Sequence, residues 1–137
     1  MVNFVILVLV GGGLGAMLRE FVMLMVPNPA DGFPLDILVA NLLAAFLLGL
    51  VTALHRRQVL SHGVYMLLGA GIMGGMSTFS SFVYGSVALM HASIASAVVA
   101  SVYVLVSLVF GYIAIIAGEK LGGRARRSVA VAAGGAQ

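Results

Sequence analysis

A run of 28 residues from Gly63 to Met90 contains no charged side chain. As one straight α-helix this run would be about 42 Å long, whereas the hydrocarbon core of a bilayer is about 30 Å thick. The run therefore predicts a membrane span that tilts, projects beyond the bilayer or breaks. Gly74-Gly75 is the expected break point, and backbone groups freed there must bind protein, water or an ion.

Other apolar runs in the chain predict three more membrane spans. Of the 137 residues, 62% are hydrophobic and 8% are charged, which leaves too few polar side chains to cover a soluble domain of this size. The predicted fold class is an all-α integral membrane protein. Its four transmembrane helices are expected at about residues 2–26, 35–54, 63–90 and 92–118.

The remaining segments connect or follow these spans. The proline-rich stretch PNPADGFPLD predicts the first loop because it cannot form a spanning helix. The stretches HRRQVLSHG and MHASIAS predict the second and third connections. Residues 1–121 are therefore expected to form one four-helix membrane domain. Residues 122–137 are basic at first and then small and featureless, which predicts a disordered tail.

The basic residues predict how the chain is oriented in the membrane. With four spans, both termini lie on the same side as the second loop, and that side carries six of the seven Lys and Arg residues. The positive-inside rule then places both termini in the cytoplasm. The six residues are Arg56, Arg57, Lys120, Arg124, Arg126 and Arg127, and the seventh is Arg19.

Neither an enzyme nor a nucleic-acid-binding protein is expected. The carboxylates and histidines lie near span ends or in connections, without the spacing of a catalytic or metal site. The stretch GGGLGA fits a dinucleotide-binding pattern, but a proline-rich loop and a second span follow it instead of a βαβ unit. The carboxylates are Glu20, Asp31, Asp36 and Glu119, and the histidines are His55, His62 and His91.

Small residues recur at helical spacing on the first two spans. Gly11 and Gly15 form one stripe, and Asn41, Ala45 and Gly49 form another. Such stripes let helix backbones approach closely. Because four short spans are too few to enclose a water-filled path alone, we expect a dimer.

Several polar side chains fall within the spans, and each allows two interpretations. Asn41 either makes a helix–helix hydrogen bond or donates to a ligand in a pore. Ser107 lies four residues after Tyr103, with Gly111 on the same stripe, and it either bonds back to its own helix or belongs to a polar track. Arg19 either extends to water at the interface or draws anions toward a vestibule.

The third span combines two phenylalanines with two hydroxyl residues. Phe79 and Phe82 share one helix face, as do Thr78 and Ser81. Phenylalanine in a membrane helix usually faces lipid or packs against another helix. The edge of its ring, however, carries partial positive charge, and an anion is drawn to that edge.

The segment GGMSTFSSF, residues 74–82, resembles the G-G-x-T-T-F-S-T-F signature of the CrcB or Fluc family of fluoride channels. VANLLAAFLLGL resembles that family's second helix, with its central asparagine at Asn41. GGGLGAMLR resembles its first helix, with the arginine at Arg19. The resemblance covers all four spans in order. Three positions depart from the family pattern. Ser77 and Val39 stand where the family commonly has threonine, and Gly111 lacks a hydroxyl group.

The resemblance implies an antiparallel, dual-topology-type dimer with two pores in the bacterial cytoplasmic (inner) membrane. It would export cytoplasmic fluoride passively and give fluoride resistance. The ring edges of Phe79 and Phe82 would line the fluoride path. Asn41 would donate a hydrogen bond to fluoride, and Arg19 would lie in the vestibule. Hydroxyl residues implied along the path are Thr78, Ser81, Tyr103 and Ser107.

A structural cation is also implied by the resemblance. A Na+ ion at the dimer interface would be coordinated by the backbone carbonyls of Gly74 and Ser77 from both subunits. Such an ion would satisfy backbone groups released at the break in the third span. The partner can be a second copy of the chain or an oppositely oriented paralogue, because the unequal basic charge also fits one fixed orientation.

Two other functions are compatible with four apolar spans. A small multidrug-resistance-type exporter is also a four-helix antiparallel dimer, but it exchanges protons for cations at a membrane-embedded carboxylate. Glu20, at a span end, is a poor candidate for that group. In a non-transporting structural subunit, Phe79 and Phe82 would serve only in packing.

Overall fold

The computed structural model describes residues 2–29, 33–90 and 94–134, and it describes side chains for residues 3–29, 33–90 and 96–124. Met1 lies outside the described residues, as do three short segments. They are 30–32 of the predicted first loop, 91–93 of the predicted third connection, and 135–137 of the predicted tail.

Helices account for nearly all of the described residues. They are α1 (Val2–Met25), α2 (Leu35–Arg56), α3 (His62–Tyr65), a π-helical segment (Met66–Met73), α4 (Gly74–Met76), α5 (Phe79–Met90) and α6 (Ile94–Gly134). The elements from α3 to α5 follow one another as the two halves of the third span, with a break between α4 and α5.

Among the described residues, four stretches are long and apolar enough to cross a membrane. The prediction of an all-α protein with four transmembrane helices is confirmed, and the chain is a multi-pass membrane protein. The stretches are Asn3–Met25, Leu35–Arg56, His62–Met90 and Ser96–Arg124.

The last helix extends beyond its predicted span. α6 continues through Gly134 and crosses the boundary at residue 121 between the expected membrane domain and tail. A helical backbone assignment by itself measures no motion. The predicted disorder of residues 122–137 therefore stays a prediction.

Glycines bring α1 into backbone contact with the first half of the third span. A Cβ atom added to Gly15 would collide with the Ile72 carbonyl, and one added to Gly75 would collide with the Gly12 carbonyl. Gly11 likewise lies against the backbone of this half-span. The predicted small-residue stripe on α1 thus packs within the chain, so it is not itself evidence for a dimer.

A second helix pair, α2 and α6, packs equally closely. A Cβ atom on Gly49 would collide with the Ile115 carbonyl, and one on Gly118 would collide with the Phe46 carbonyl. The core beside these contacts is built from small and medium side chains, and Ala40 is fully buried. This pairing holds the middle of α2 at a fixed distance from α6.

Alanine at Gly49 should weaken this helix pair. The added Cβ has no room beside the Ile115 carbonyl, and overpacking of this kind destabilises by about 1–3 kcal/mol or more. We expect a lower unfolding temperature in detergent and a smaller monodisperse fraction for Gly49→Ala. The matched control is Gly13→Ala, because a Cβ there meets nothing within 4 Å. Equal unfolding temperatures for the two variants would contradict the close contact.

The third span is broken as predicted, but the predicted position of the break is wrong. Gly74 has helical dihedral angles, with φ −64° and ψ −39°, and Gly75 lies in α4. The backbone leaves the helix at Ser77, where φ is −72° and ψ is 140°. Gly75 serves the close approach to α1 instead, and the broken ladder at Ser77–Thr78 is repaired by a side chain from α2.

Candidate functional site

Asn41, in the middle of α2, binds the broken backbone of the third span. Its Oδ1 atom accepts hydrogen bonds from the Thr78 backbone N–H at 2.8 Å and from the Ser77 hydroxyl at 3.1 Å. Its Nδ2 atom donates to the Thr78 carbonyl at 3.3 Å. The helix–helix interpretation of Asn41 is therefore confirmed. One of the two amide N–H groups is used in this way, and the second remains for another acceptor.

Thr78 caps the second half of the third span. Its Oγ1 atom accepts a hydrogen bond from the Ser81 backbone N–H at 3.2 Å, as an N-cap residue does at the third helical position. The same hydroxyl donates to Ser81 Oγ at 3.0 Å. Thr78 is 5% exposed. Ser81, in turn, keeps its own hydroxyl proton for another acceptor.

Backbone carbonyls lose their helical partners at the break, and those of Gly74 and Ser77 are among them. In an unbroken α-helix, the Gly74 and Ser77 carbonyls would accept from the N–H groups of Thr78 and Ser81. Those two N–H groups instead donate to Asn41 Oδ1 and Thr78 Oγ1. Gly74 and Ser77 are both exposed on the surface of the chain. The Gly74 and Ser77 carbonyls therefore lack their helical donors at exposed positions of the chain.

Arg19 lies against the same break, on the side of α1. Its NH1 group donates to the Gly75 carbonyl at 3.3 Å. Its NH2 group also forms an ion pair with Glu20 at 3.3 Å, and the two side chains are 24% and 63% exposed. The guanidinium thus adds positive charge beside the C-terminal end of α4, where freed carbonyls are partially negative.

An open cleft of about 200 Å³ lies at the break. Its walls come from α2, from the break, from α5 and from α6. All of its lining residues are uncharged: Asn41, Ser77, Thr78, Phe79, Phe82, Ser107 and Leu108. The structure thus brings together five of the residues that the sequence placed in the site.

Phe82 belongs to a chain of packed aromatic rings. Its centroid lies 6.1 Å from that of Phe79 and 5.4 Å from that of Tyr103, each with an interplanar angle of 34°. Tyr103 in turn meets Phe33 edge-on at 5.4 Å. Phe79 is 78% exposed. The Phe82 ring therefore packs against Tyr103, whereas the Phe79 ring projects from the surface of the single chain.

The other predicted site residues either lie beside the cleft without lining it or donate their hydroxyl proton within the chain. Tyr103 is fully buried, and its hydroxyl has no hydrogen-bond partner among the described residues. Ser107 lines the cleft, but its hydroxyl donates to the Tyr103 carbonyl at 2.7 Å, as expected for a serine bonded to its own helix. Ser81, Tyr103 and Arg19 contact lining residues or the break without lining the cleft themselves.

Sequence reasoning missed two features of the cleft. Leu108 lines it, and the Ser77 side chain faces it although only the Ser77 carbonyl was predicted to act. An apolar residue on an apolar helix carries no signal of its own, so Leu108 could be found only from its neighbour Ser107. Ser77 could have been found from its position directly at the break.

Comparisons with known proteins agree with this architecture. The family model described as "CrcB-like protein, Camphor Resistance (CrcB)" matches residues 6–119. Fluoride-specific ion channel FluC 3 of Yersinia pseudotuberculosis serotype I is 51% identical over 122 residues, which cover 89% of this chain and 90% of the relative. Fluoride-specific ion channel FluC of Ignicoccus hospitalis is 35% identical over 117 residues, 85% of this chain and 93% of the relative.

Relatives in Brucella are longer than the chain. Fluoride-specific ion channel FluC 2 of Brucella melitensis biotype 1 is 58% identical over 122 residues, which cover 89% of this chain. The matched part is 45% of the relative's own length. The chain therefore spans less than half of these relatives.

Proposed function

This chain belongs to the CrcB family, and from that premise we propose that it is a subunit of a fluoride-selective ion channel. The channel lets cytoplasmic fluoride leave the cell passively and so gives fluoride resistance. The observation that carries the proposal is the cleft at the break, which combines a free amide N–H with phenylalanine rings and no charged lining residue. The named functions of the similar proteins support the same assignment.

The chemistry of the cleft suits a small anion that must shed water. Fluoride is strongly hydrated, so a selective path must replace its water with close donors. The hydroxyl protons of Ser77, Thr78 and Ser107 are already donated within the chain. The second N–H of Asn41 and the positive ring edges of Phe79 and Phe82 are the donors that remain at the cleft. Neutral donors bind weakly enough for the ion to leave again, which conduction requires.

Ion-selective efflux from liposomes tests this function. Liposomes are loaded with potassium fluoride or potassium chloride, and release is recorded with an ion-selective electrode after the purified protein is reconstituted. We expect fast fluoride release without chloride release. Equal release of both anions, or proton-coupled uptake of an organic cation, would contradict the proposal.

The described carboxylates do not support the exporter alternative. Glu20 is paired with Arg19 and exposed, and Glu119 is paired with Arg56 at 3.4 Å. The Oδ1 atom of Asp36 accepts the Ile37 N–H at the start of α2. Proton-coupled export needs a carboxylate held inside the membrane bundle.

A channel catalyses no reaction, so this function also agrees with the expectation that the chain is not an enzyme.

A dimer is part of the proposed channel. The cleft is open in the single chain, and Phe79 projects from it. A second copy or a related chain in antiparallel orientation can cover this face and complete the path. The small-residue stripes hold the helices of one chain in close contact, so a water-filled path has no room between them.

The freed carbonyls fit a Na+ ion at the dimer interface. Oxygen donors suit a hard cation. Gly74 and Ser77 each present one carbonyl without its helical donor on the exposed face of the break. Two copies of the chain supply four such oxygens. A cation there adds positive charge between the two pores and satisfies backbone inside the membrane.

Sodium should raise the stability of the assembled protein. A ligand present at 100 times its Kd stabilises by about 2.7 kcal/mol, so we expect a higher unfolding temperature in sodium chloride than in choline chloride after sodium-free purification. Ser77→Ala should keep this dependence, because the proposed ligand is the backbone carbonyl. Identical unfolding temperatures in both salts would argue against the site.

The partner and the orientation belong to the proposal as well. We place the chain in the bacterial inner membrane as an antiparallel homodimer. The alternative is one fixed orientation, with both termini in the cytoplasm, paired with a paralogue. The numbered names FluC 1, FluC 2 and FluC 3 among the Brucella and Yersinia relatives motivate that alternative. Terminal tags on the chain expressed alone decide the question, since equal inside and outside populations support the homodimer and a single population supports the paralogue pair.

A further inference from the structure

A basic cleft lies at the end of the molecule where α2 ends and α6 leaves its apolar stretch. Its volume is about 490 Å³. The cationic side chains that line it are Arg57, Lys120 and Arg124. Glu119 also lines the cleft, but its carboxylate is paired with Arg56. We call these lining residues the basic cleft.

The three cations have no anionic partner within the part of the chain whose side chains the structure describes. Among the described side chains, none of them forms an ion pair with a carboxylate. Like charges held close together repel, and the repulsion is relieved by a bound anion. Since the Arg56–Glu119 pair is neutral overall, the basic cleft has an excess of about three positive charges.

Arg57 is also not needed to cap α2. The helix closes with the Val59 N–H on the Leu54 carbonyl and the Gln58 N–H on the His55 carbonyl, and Gln58 has φ 60°. This backbone turn satisfies terminal carbonyls without a side chain. The Arg57 guanidinium instead lies over α6. Its NH2 atom would be 3.3 Å from a Cβ atom added to Gly123.

The basic cleft is separate from the proposed fluoride path. Arg57 follows Asn41 by 16 residues along one helix, which corresponds to about 24 Å. Arg57, Lys120 and Arg124 lie at the ends of the apolar stretches, where water and dissolved ions screen their charge. The cations therefore act mainly on what binds at the end of α2, and their effect on an ion beside Asn41 is small.

We propose that the basic cleft binds the phosphate group of an anionic phospholipid. Arginine donates to phosphate through two N–H groups at once, and lysine adds a point charge. The cleft lies along the last turns of the apolar stretches of α2 and α6, which end at Arg56 and Arg124. That is the depth of lipid headgroups, where basic clusters between helices bind anionic lipids.

Lipid binding by the purified protein tests this site without any fluoride measurement. Native mass spectrometry in detergent is used to titrate phosphatidylglycerol, with phosphatidylcholine and inorganic phosphate as separate arms. We expect the protein to retain phosphatidylglycerol in preference to phosphatidylcholine. Each basic residue near an anionic surface contributes about fivefold, so Arg57→Gln/Lys120→Gln should weaken phosphatidylglycerol binding by about 30-fold.

The control removes the same charge at two positions further along the chain. Arg126→Gln/Arg127→Gln should change phosphatidylglycerol binding by less than about threefold. If the first double variant is not monodisperse, Arg124→Gln serves instead, with an expected loss of about fivefold. Equal losses in cleft and control variants would overturn the proposal in favour of diffuse charge attraction. Inorganic phosphate that binds as well as the lipid would overturn it in favour of a free-anion site.

Discussion

Phe82→Ile should reduce fluoride efflux from liposomes to the level of protein-free vesicles. Isoleucine fills similar space against Tyr103 but has no aromatic edge to attract an anion. A rise of about 2.7 kcal/mol in the barrier is already a hundredfold loss of rate, so we expect a decrease of about a hundredfold or more. Chloride release should stay at background in the same vesicles.

To test this expectation, the loss of the aromatic edge of Phe82 must be distinguished from a loss of packing. Phe82 is supported by Tyr103 and Phe79, and size-exclusion profiles should show that the variant remains folded and assembled. Phe21→Ile is the matched control, because Phe21 is 60% exposed on α1 and does not line the cleft. Its efflux should stay within about twofold of the unmodified chain, a change worth only about 0.4 kcal/mol. Normal efflux in Phe82→Ile would remove this ring from the fluoride path.

Asn41→Asp should also abolish fluoride efflux, for an electrostatic reason. A carboxylate can still accept from the Thr78 N–H and the Ser77 hydroxyl, so the break keeps two of its three bonds to α2. It loses the donor to the Thr78 carbonyl and places negative charge at the cleft. Repulsion of about 4 kcal/mol between unit charges 4 Å apart at an effective dielectric of 20 is enough to stop conduction.

Two further variants isolate the charge from the architecture. Asn3→Asp adds the same charge at an exposed position near the start of α1 and should leave efflux unchanged. Asn41→Leu removes all three bonds and leaves backbone polar groups of the break unsatisfied, at about 1–3 kcal/mol each. It should therefore lower the unfolding temperature much more than Asn41→Asp does. Unchanged conduction in Asn41→Asp would place Asn41 off the path.

Local patterns were sufficient for the spans and for most of the cleft. Apolar length against bilayer thickness predicted four spans, and the 28-residue run predicted that the third span breaks. The residue pattern singled out polar side chains and paired rings within those spans, and the resemblance to the CrcB family implied that Asn41, Thr78, Ser107, Phe79 and Phe82 line one path. All five lie at one cleft. These features are predictable because hydropathy and helical spacing depend only on neighbouring residues.

Other features could not be predicted because they depend on distant partners. Glycine at positions 74 and 75 predicted a weak helix at those positions. In the structure the helix persists through both, and Gly75 allows the close approach of α1. The small-residue stripes predicted close helix contacts but not the partner helices, and the structure shows that α1 and α2 use them within the chain. Arg19 at a span end suggested an interfacial side chain, but its guanidinium binds the Gly75 carbonyl, 56 positions away in the chain.

The sequence by itself therefore determined that the chain is a four-span membrane protein, and it singled out five uncharged residues that the structure brings to one cleft. Only the tertiary structure decided that the backbone leaves the helix at Ser77, because the amide that replaces the lost hydrogen bonds comes from α2, 36 to 37 positions away. Inside a membrane, a backbone break is stable only where another element supplies its hydrogen-bond partners. The packing of α2 against α6 supplies that partner by holding Asn41 opposite Thr78.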